Sequence, residues 1–415
     1  MNTAVCVDVG STYTKGCLVD LDRGLLLGRA ETPTTAGTDV LTGLDTVVNA
    51  LDPAAPLYVC SSAGGGLRLA VVGYEALVTA EAGHRVGLSA GAQVVHVAAG
   101  LLDGRAVTAL RAARPDVILL VGGTDGGDGS VLLHNAGRLA TARLRVPVVV
   151  AGNAEVRDEA AALLTGRGLA VTGTGNVLPK IGVLDPGPAR AAIRGVFLRH
   201  VIGGKRLSRG PRFASLVRCA TPDAVLAAVD LLADLTGAGV LVVDVGGATT
   251  DVYSALVPDP EAENGPQRDV AGTLWRSRTV EGDLGVGVGA PGVVTAAGQE
   301  KLRPPDISVG RPYPAETDRA LAAVAATVAV RRHARSRPGA GGRDLRQVRL
   351  VVGSGGVLRH GGGAEVLAAV LGDTAGGWAA PAAARRKIDS AYVLAAAGLL
   401  AAEHPRAAAG LLNAL

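Results

Sequence analysis

Two stretches far apart in this 415-residue chain constrain its fold more than anything else in it. The first reads Val5-Cys6-Val7-Asp8-Val9-Gly10-Ser11-Thr12-Tyr13-Thr14-Lys15-Gly16-Cys17-Leu18-Val19-Asp20. The second reads Leu241-Val242-Val243-Asp244-Val245-Gly246-Gly247-Ala248-Thr249-Thr250-Asp251. In each, an apolar run of buried-strand type delivers an aspartate near its end and passes into glycine and hydroxyl residues. Glycine lets a backbone turn sharply and approach an anion closely. Successive turn N–H groups form a nest for phosphate, hydroxyls add donors, and carboxylates hold a hydrated magnesium ion. A strand followed by a tight turn explains either stretch alone, since glycine supplies 59 of the residues. Composition does not explain the same design twice. A second apolar strand follows Lys15, so the first unit predicts a hairpin with the loop at its tip. The two loops read as two jaws closing on one nucleotide.

A third stretch, Leu350-Val351-Val352-Gly353-Ser354-Gly355-Gly356-Val357-Leu358, predicts a strand, a glycine-rich turn and the start of a helix. In this order the three resemble the phosphate-1, phosphate-2 and adenosine motifs of the actin, sugar-kinase and heat-shock-chaperone ATPase superfamily. The step from Asp8 to Lys15 resembles the actin version, in which the lysine meets a phosphate. The resemblance implies an α/β, actin-like ATPase fold: two domains flanking a nucleotide cleft, with an inserted or extended α/β segment. Domain I is expected over residues 1–236, with the extra segment at about 67–200. Domain II is expected over 237–380, and 381–415 returns to domain I.

Between the two jaws the pattern alternates. A helix is expected from about Val40 to Leu51, capped by Thr38-Asp39, and a strand over Arg68–Val78. Helical periodicity covers Glu81–Ala99. Val117–Val121 reads as a strand leading into Gly122-Gly123-Thr124-Asp125-Gly126-Gly127-Asp128-Gly129, with a helix over Ser130–Leu139. Pro147–Ala151 and Leu169–Thr172 read as strands around a helix at Glu155–Leu164. Such alternation predicts a parallel, helix-covered sheet. The Gly122 loop stands at a strand's carboxyl end, where open parallel sheets place ligands, and Asp125 is a candidate to orient a water near a terminal phosphate. Plain turn chemistry is the other reading.

Gly203-Gly204-Lys205-Arg206 fails as a Walker-A loop, because Arg206 stands where Ser or Thr is needed. A helix over 222–236 has Thr221 as its cap and Pro222 in its first turn. Residues 255–268 read as an exposed loop and Trp275–Val280 as a strand. Glu281-Gly282-Asp283 reads either as a polar turn before a helix near Pro291–Ala297 or, if it follows the second loop as in the resembling superfamily, as carboxylates beside the nucleotide cleft. Arg319–His333 predicts an amphipathic helix, and Lys387–Leu400 a helix. The seven arginines of Arg331–Arg349 read as a solvated loop, with a partner-docking patch as the lesser reading.

The charge balance, 41 Lys and Arg against 37 Asp and Glu, does not suggest a polyanion binder. Aromatic residues, 2% of the chain, leave few stacking platforms for single-stranded nucleic acid. Cys6, Cys17, Cys60 and Cys219 form no Cys-x-x-Cys pair, and the first two read as small core residues. No basic region precedes an apolar one at the N-terminus, and the apolar runs are strand-length. A cytoplasmic protein is therefore expected, with neither membrane nor nucleic acid as partner.

A closer resemblance spans nearly the whole chain. Val-Asp-Val-Gly-Ser-Thr-Tyr-Thr-Lys, Val-Gly-Gly-Thr-Asp-Gly-Gly, Asp-Val-Gly-Gly-Ala-Thr-Thr-Asp-Val, Arg-Thr-Val-Glu-Gly-Asp-Leu-Gly and Asp389-Ser-Ala-Tyr-Val-Leu-Ala-Ala-Ala-Gly-Leu-Leu400 are similar to the glutamate mutase accessory family of MutL or GlmL type. That resemblance implies a partner, an adenosylcobalamin-dependent carbon-skeleton mutase, reactivated or chaperoned with ATP. It implies ATP and Mg²⁺ as cofactors. Gly10, Ser11, Thr12, Thr14 and Lys15 would grip phosphates from one side, and Gly246, Gly247, Thr249, Thr250 and Asp251 from the other. Gly353, Ser354, Gly355 and Gly356 would leave room for the nucleoside, and Gly122, Gly123 and Thr124 would add a loop. Asp8 and Asp244 would hold the metal through water and, with Asp125, serve catalysis. The chain departs from the family at Gly287–Gly289, where a more substantial side chain is expected. Two other readings share the phosphate grip: a small-molecule kinase and an actin-like structural ATPase. An iron–sulfur activator is disfavoured by the cysteine spacing.

Overall fold

The computed structural model describes residues 2–64, 67–75, 79–89, 92–202, 207–257, 276–308, 310–335, 345–374 and 383–415. The chain opens as an antiparallel meander of β1 (Thr3–Val9), β2 (Tyr13–Asp20) and β3 (Leu25–Pro33). After the helix Val40–Leu51, β4 (Leu57–Ser61) pairs parallel with β1. Five strands then build a separate sheet: β5 (Arg68–Gly73), β6 (Gln93–Ala99), β7 (Val117–Leu120), β8 (Val148–Val150) and β9 (Val171–Gly173). The chain returns with β10 (Val217–Ala220), parallel to β4, completing the order β10-β4-β1-β2-β3.

The second half repeats that plan. β11 (Gly239–Val245), β12 (Thr250–Ala255) and β13 (Arg276–Glu281) form a meander, and β14 (Val348–Ser354) and β15 (Arg385–Ile388) add in parallel on the other side of β11. The order is β13-β12-β11-β14-β15. A central strand with a meander on one side and two parallel strands on the other, made twice, is the actin-like ATPase fold. The middle sheet is different. Its order is β6-β5-β7-β8-β9 with every pair parallel, and it is inserted between β4 and β10. Helices cover it, which is why β7 and β8 read as unbroken Val, Ile and Leu.

The two repeated sheets share one core. Helices Thr221–Thr236, Val393–Leu400 and Pro405–Asn413 lie between Cys6, Tyr58 and Cys60 of the first sheet and Val242, Tyr253 and Val352 of the second. The first two helices approach so closely that a Cβ on Gly398 would stand 1.7 Å from the Ala224 carbonyl oxygen. The site is thus hung on a single apolar block that neither half completes alone.

Several local expectations change. Glu81–Ala99 is not one helix: it divides into the helix Thr79–Ser89 and β6, because Val-Val-His-Val serves the edge of the inserted sheet. The strand from Arg68 ends at Gly73, whose missing Cβ admits the Ala80 backbone at 2.6 Å. A helix at Gly104–Ala112, capped by Asp103, was not anticipated. Lys387–Leu400 is a short edge strand, a four-residue link and then a helix. The helix Ala315–Ala334 is buried almost all round from Leu321 onward rather than amphipathic, since it packs in the core of the second half. Arg331 belongs to that helix and is not solvated: its guanidinium reaches both Asp373 oxygens at 2.7 Å. Residues 336–344 of the arginine stretch, most of the 255–268 loop, and Gly203 to Arg206 lie outside the described residues.

Candidate functional site

The two jaws are the same hairpin in atomic register. In the first, Asp8 stands opposite Lys15 and Val9 opposite Thr14, and the Gly10 N–H closes the turn on the Tyr13 carbonyl at 3.0 Å. In the second, Asp244 stands opposite Asp251 and Val245 opposite Thr250, and the Gly246 N–H closes on the Thr249 carbonyl at 2.9 Å. The next strand over places Cys60 beside Asp8 and Ser354 beside Asp244. At the two tips, the N–H groups of Ser11, Thr12, Gly247 and Ala248 have no acceptor among the described residues. Free N–H donors beside paired carboxylates and a lysine are a donor set suited to a phosphate chain with a hydrated cation.

Both aspartates and Lys15 line one open-mouthed cavity, together with Thr221, Ser354, Asp389 and Tyr392. Burial pushes the Asp8 carboxyl up, against the opposing pull of Lys15 and the Thr221 and Cys60 donors. The Thr221 hydroxyl donates to Asp8 Oδ1 at 2.5 Å, so it does not cap its helix as expected, and Ala220 takes that position. Burial, reinforced by Asp251, pushes Asp244 up to about 6. Lys15 stays charged because Asp8, Tyr392 and Asp244 together outweigh its burial. A cation bound beside the two carboxyl groups would favour the charged form of both.

The second jaw has a brace. The segment after β13 lies on it, with Val286 and Gly287 donating N–H to the Gly246 and Gly247 carbonyls at 3.1 and 2.7 Å. A Cβ on Gly285 would meet Ala248 C at 2.4 Å, and one on Gly287 would meet the Gly247 carbonyl oxygen at 2.9 Å. Contact here is backbone on backbone, which accounts for glycine where a larger side chain was expected. Below it, Arg278 is buried and holds Asp251 through Nε at 3.0 Å and Nη2 at 2.6 Å.

The other expected residues divide. Gly10, Ser11, Thr12, Gly246, Gly247 and Thr249 are at the hairpin tips. Thr14 and Thr250 are fully buried: one hydroxyl meets Thr34 Oγ1 at 3.0 Å, the other donates to the Leu284 carbonyl at 2.6 Å. Gly353 packs against Leu358, and Gly355, at φ 102°, lets β14 approach the Val245 carbonyl. Nothing stands within 4 Å of a Cβ built on Gly356. Gly122, Gly123, Thr124 and Asp125 are in the loop after β7 of the inserted sheet, and neither they nor the residues of the two hairpin tips are among those lining the cavity. Asp125 Oδ1 accepts from the Ala154 N–H and the Asn176 amide, both at 2.9 Å, so it serves its own loop. Thr221, Asp389 and Tyr392 were missed. Tyr392 had a signal, since Asp389-Ser-Ala-Tyr was itself a recognisable stretch.

The model of the MutL protein family matches residues 4–415. Protein MutL of Clostridium tetanomorphum is 34% identical over 457 residues, spanning 100% of this chain and 99% of that one. Component A of the Acidaminococcus fermentans (R)-2-hydroxyglutaryl-CoA dehydratase aligns over 99% of both chains at 9% identity and a TM-score of 0.32. The inorganic polyphosphate/ATP-glucomannokinase of Arthrobacter sp. strain KM aligns over 100% of both at 15% and 0.28. The strand orders, not these loose superpositions, carry the fold assignment.

Proposed function

The chain belongs to the MutL protein family, and from that premise we propose that it is an ATP-dependent reactivating factor or chaperone for an adenosylcobalamin-dependent carbon-skeleton mutase of the glutamate mutase type. The observation that carries the ATP half is the pair of register-matched hairpins that bring Asp8, Lys15 and Asp244 to one cavity. The mutase half rests on family resemblance.

Mg²⁺·ATP, when bound, supplies the transferable phosphoryl group and the cation that balances the carboxylates. The residues of the chain do the rest. The N–H groups of Ser11 and Thr12 hold phosphate oxygens from the first jaw, and those of Gly247 and Ala248 from the second. Lys15 offsets negative charge on the phosphates. Asp8 and Asp244 hold the hydrated cation, with Thr221 and Ser354 orienting their carboxyl groups. Because the jaws belong to different halves of the chain, ATP and ADP grip them differently and bias the angle between the halves. That angle is the signal a client protein reads.

A metabolite kinase would need a free carboxylate facing the terminal phosphate. Asp251 is engaged by Arg278 and Asp125 by Asn176, which favours the ATPase-chaperone reading over the kinase. The test is purification of the tagged chain from its native host with and without ATP. Recovery of a cobalamin-dependent mutase with nucleotide-dependent yield is expected. Clear ATP binding with no such enzyme recovered contradicts the proposal.

A further inference from the structure

Lys15 has a second claimant. Its Nζ lies 3.8 Å from the centre of the Tyr392 ring, and the Arg359 guanidinium carbon lies 4.6 Å from the centre of the same ring. The three come from separate parts of the fold: Lys15 from β2, Arg359 from the helical turn Leu358–Gly362 that follows β14, and Tyr392 from the link between β15 and the helix Val393–Leu400. Two cations beside one ring repel each other. The arrangement holds because each has a carboxylate in attendance, Asp8 for Lys15 and Glu31, at 3.2 Å, for Arg359.

The link that carries the ring is pinned to the first half. Arg29 donates to the Ser390 carbonyl at 3.1 Å, and the Cys17 thiol points to the Tyr392 carbonyl at 3.9 Å. Tyr392 itself sits at φ 56°, a left-handed conformation that a bulky residue keeps only when its surroundings demand it. Asp389, at the start of the link, accepts the first N–H groups of the helix, from Val393 at 2.9 Å and Leu394 at 3.2 Å. Link and helix therefore move together, and the helix is part of the core shared by both halves.

The face of an aromatic ring attracts a cation through its quadrupole, whereas a phosphate oxygen does so with full charge and a hydrogen bond. A nucleotide in the cleft competes with the ring for Lys15 and wins. We propose that Tyr392 is a positioning residue of the phosphate site: it holds Lys15 while the cleft is empty and releases it to phosphate, which leaves the Asp389–Tyr392 link held by its Arg29, Cys17 and Arg359 contacts alone and so loosens the Val393–Leu400 helix. This rests on the nucleotide reading of the cleft and names the element through which loading of that cleft reaches the core between the halves.

The experiment uses the full chain with a non-hydrolysable ATP analogue and Mg²⁺, read by calorimetry and by amide hydrogen exchange of residues 393–400. Tyr392→Leu fills the space without a π face, and Tyr392→Phe keeps the ring. Loss of the ring contact tightens analogue binding by roughly 2- to 30-fold, the range that a cation–π contact of this kind spans. In the Leu variant, exchange at 393–400 without nucleotide is expected to match that of the wild type with nucleotide, and the Phe variant, which keeps the ring and loses only the hydroxyl beside Lys15, is expected to lie nearer the wild type than Leu in both readouts. A Leu variant that binds no tighter than wild type, a Phe variant that behaves like Leu, or wild-type exchange that slows on loading overturns the proposal. A wild-type chain that binds no analogue overturns the nucleotide reading itself, and the isotherm tells that failure apart from failure of the ring contact.

Discussion

Replacing Gly285 by alanine adds one methyl group at the point where the brace meets the second jaw. The new Cβ would stand 2.4 Å from Ala248 C and 2.6 Å from both Ala248 N and Gly247 C, all backbone atoms. Carbon atoms in good contact sit about 3.5–4.0 Å apart, so jaw and brace must separate by roughly 1 Å. No side chain can rotate away, and the hydrogen bonds from Val286 and Gly287 to the jaw carbonyls stretch with the movement. Overpacking of this kind costs about 1–3 kcal/mol of stability. The functional cost is larger in proportion, because displacing a positioned group by about 1 Å weakens its action by up to ~100-fold. Gly298→Ala is the matched control: Gly298 lies in the helix Ala290–Gln299 with nothing within 4 Å, and alanine there adds about 0.5–1 kcal/mol of helix stability. Mg²⁺·ATP titration by calorimetry, paired with urea unfolding, is expected to show Gly285→Ala binding ~10- to 100-fold more weakly and Gly298→Ala binding as wild type. Binding by Gly285→Ala within twofold of wild type would refute the brace.

Other outcomes follow from the same contacts. Burial pushes the Asp230 carboxyl up to about 6, and Arg276 Nε, though 3.3 Å away, is off the line of a hydrogen bond. The folded chain thus holds a proton that the unfolded chain has lost between about pH 4 and 6, so stability falls as pH rises through that window. Asp230→Asn is expected to make that part of the denaturation-versus-pH curve shallower, with Asp244 still contributing to it, and to add on the order of 2 kcal/mol at pH 7, whereas an unchanged slope would exclude Asp230 as a source. Arg278→Met strands the Asp251 carboxylate and should cost about 3–5 kcal/mol in chemical denaturation, with a loss below 1 kcal/mol counting against a buried pair. Gly398→Ala forces apart two core helices and should cost about 3 kcal/mol, the upper end of the usual range for overpacking, measured as loss of unfolding midpoint in both halves together. Unfolding of one half alone would show that the core is not shared.

Much of this was legible in the chain because it is written locally. A strand that ends in Asp, Gly and hydroxyl residues announces its turn wherever it occurs, and the two such strands proved to be register equivalents. The alternation after Arg68 announced a parallel sheet for the same reason: strand and helix signals there are each complete within about ten residues. What could not be read locally was assembly. Thr221 looked like a helix cap, as threonine before proline usually does, and only the pairing of β10 with β4 turns it towards Asp8. Tyr392 reaches Lys15 across almost the whole chain. β15, Arg-Arg-Lys-Ile, is an edge strand whose charged residues carry no apolar alternation, so it merged with the helix beyond it. The glycines of the brace looked like an anomaly because the surface that requires them is another loop's backbone.

The central claim is that Asp8 and Asp244, from two copies of one hairpin, serve a single nucleotide. Titrating Mg²⁺·ATP into the wild-type chain, Asp8→Asn and Asp244→Asn tests it directly. One site per chain is expected, weakened at least about tenfold by either substitution without loss of the unfolding midpoint, and weakened similarly by both. No binding by the wild type, two sites per chain, or a substitution in only one hairpin having an effect would contradict it.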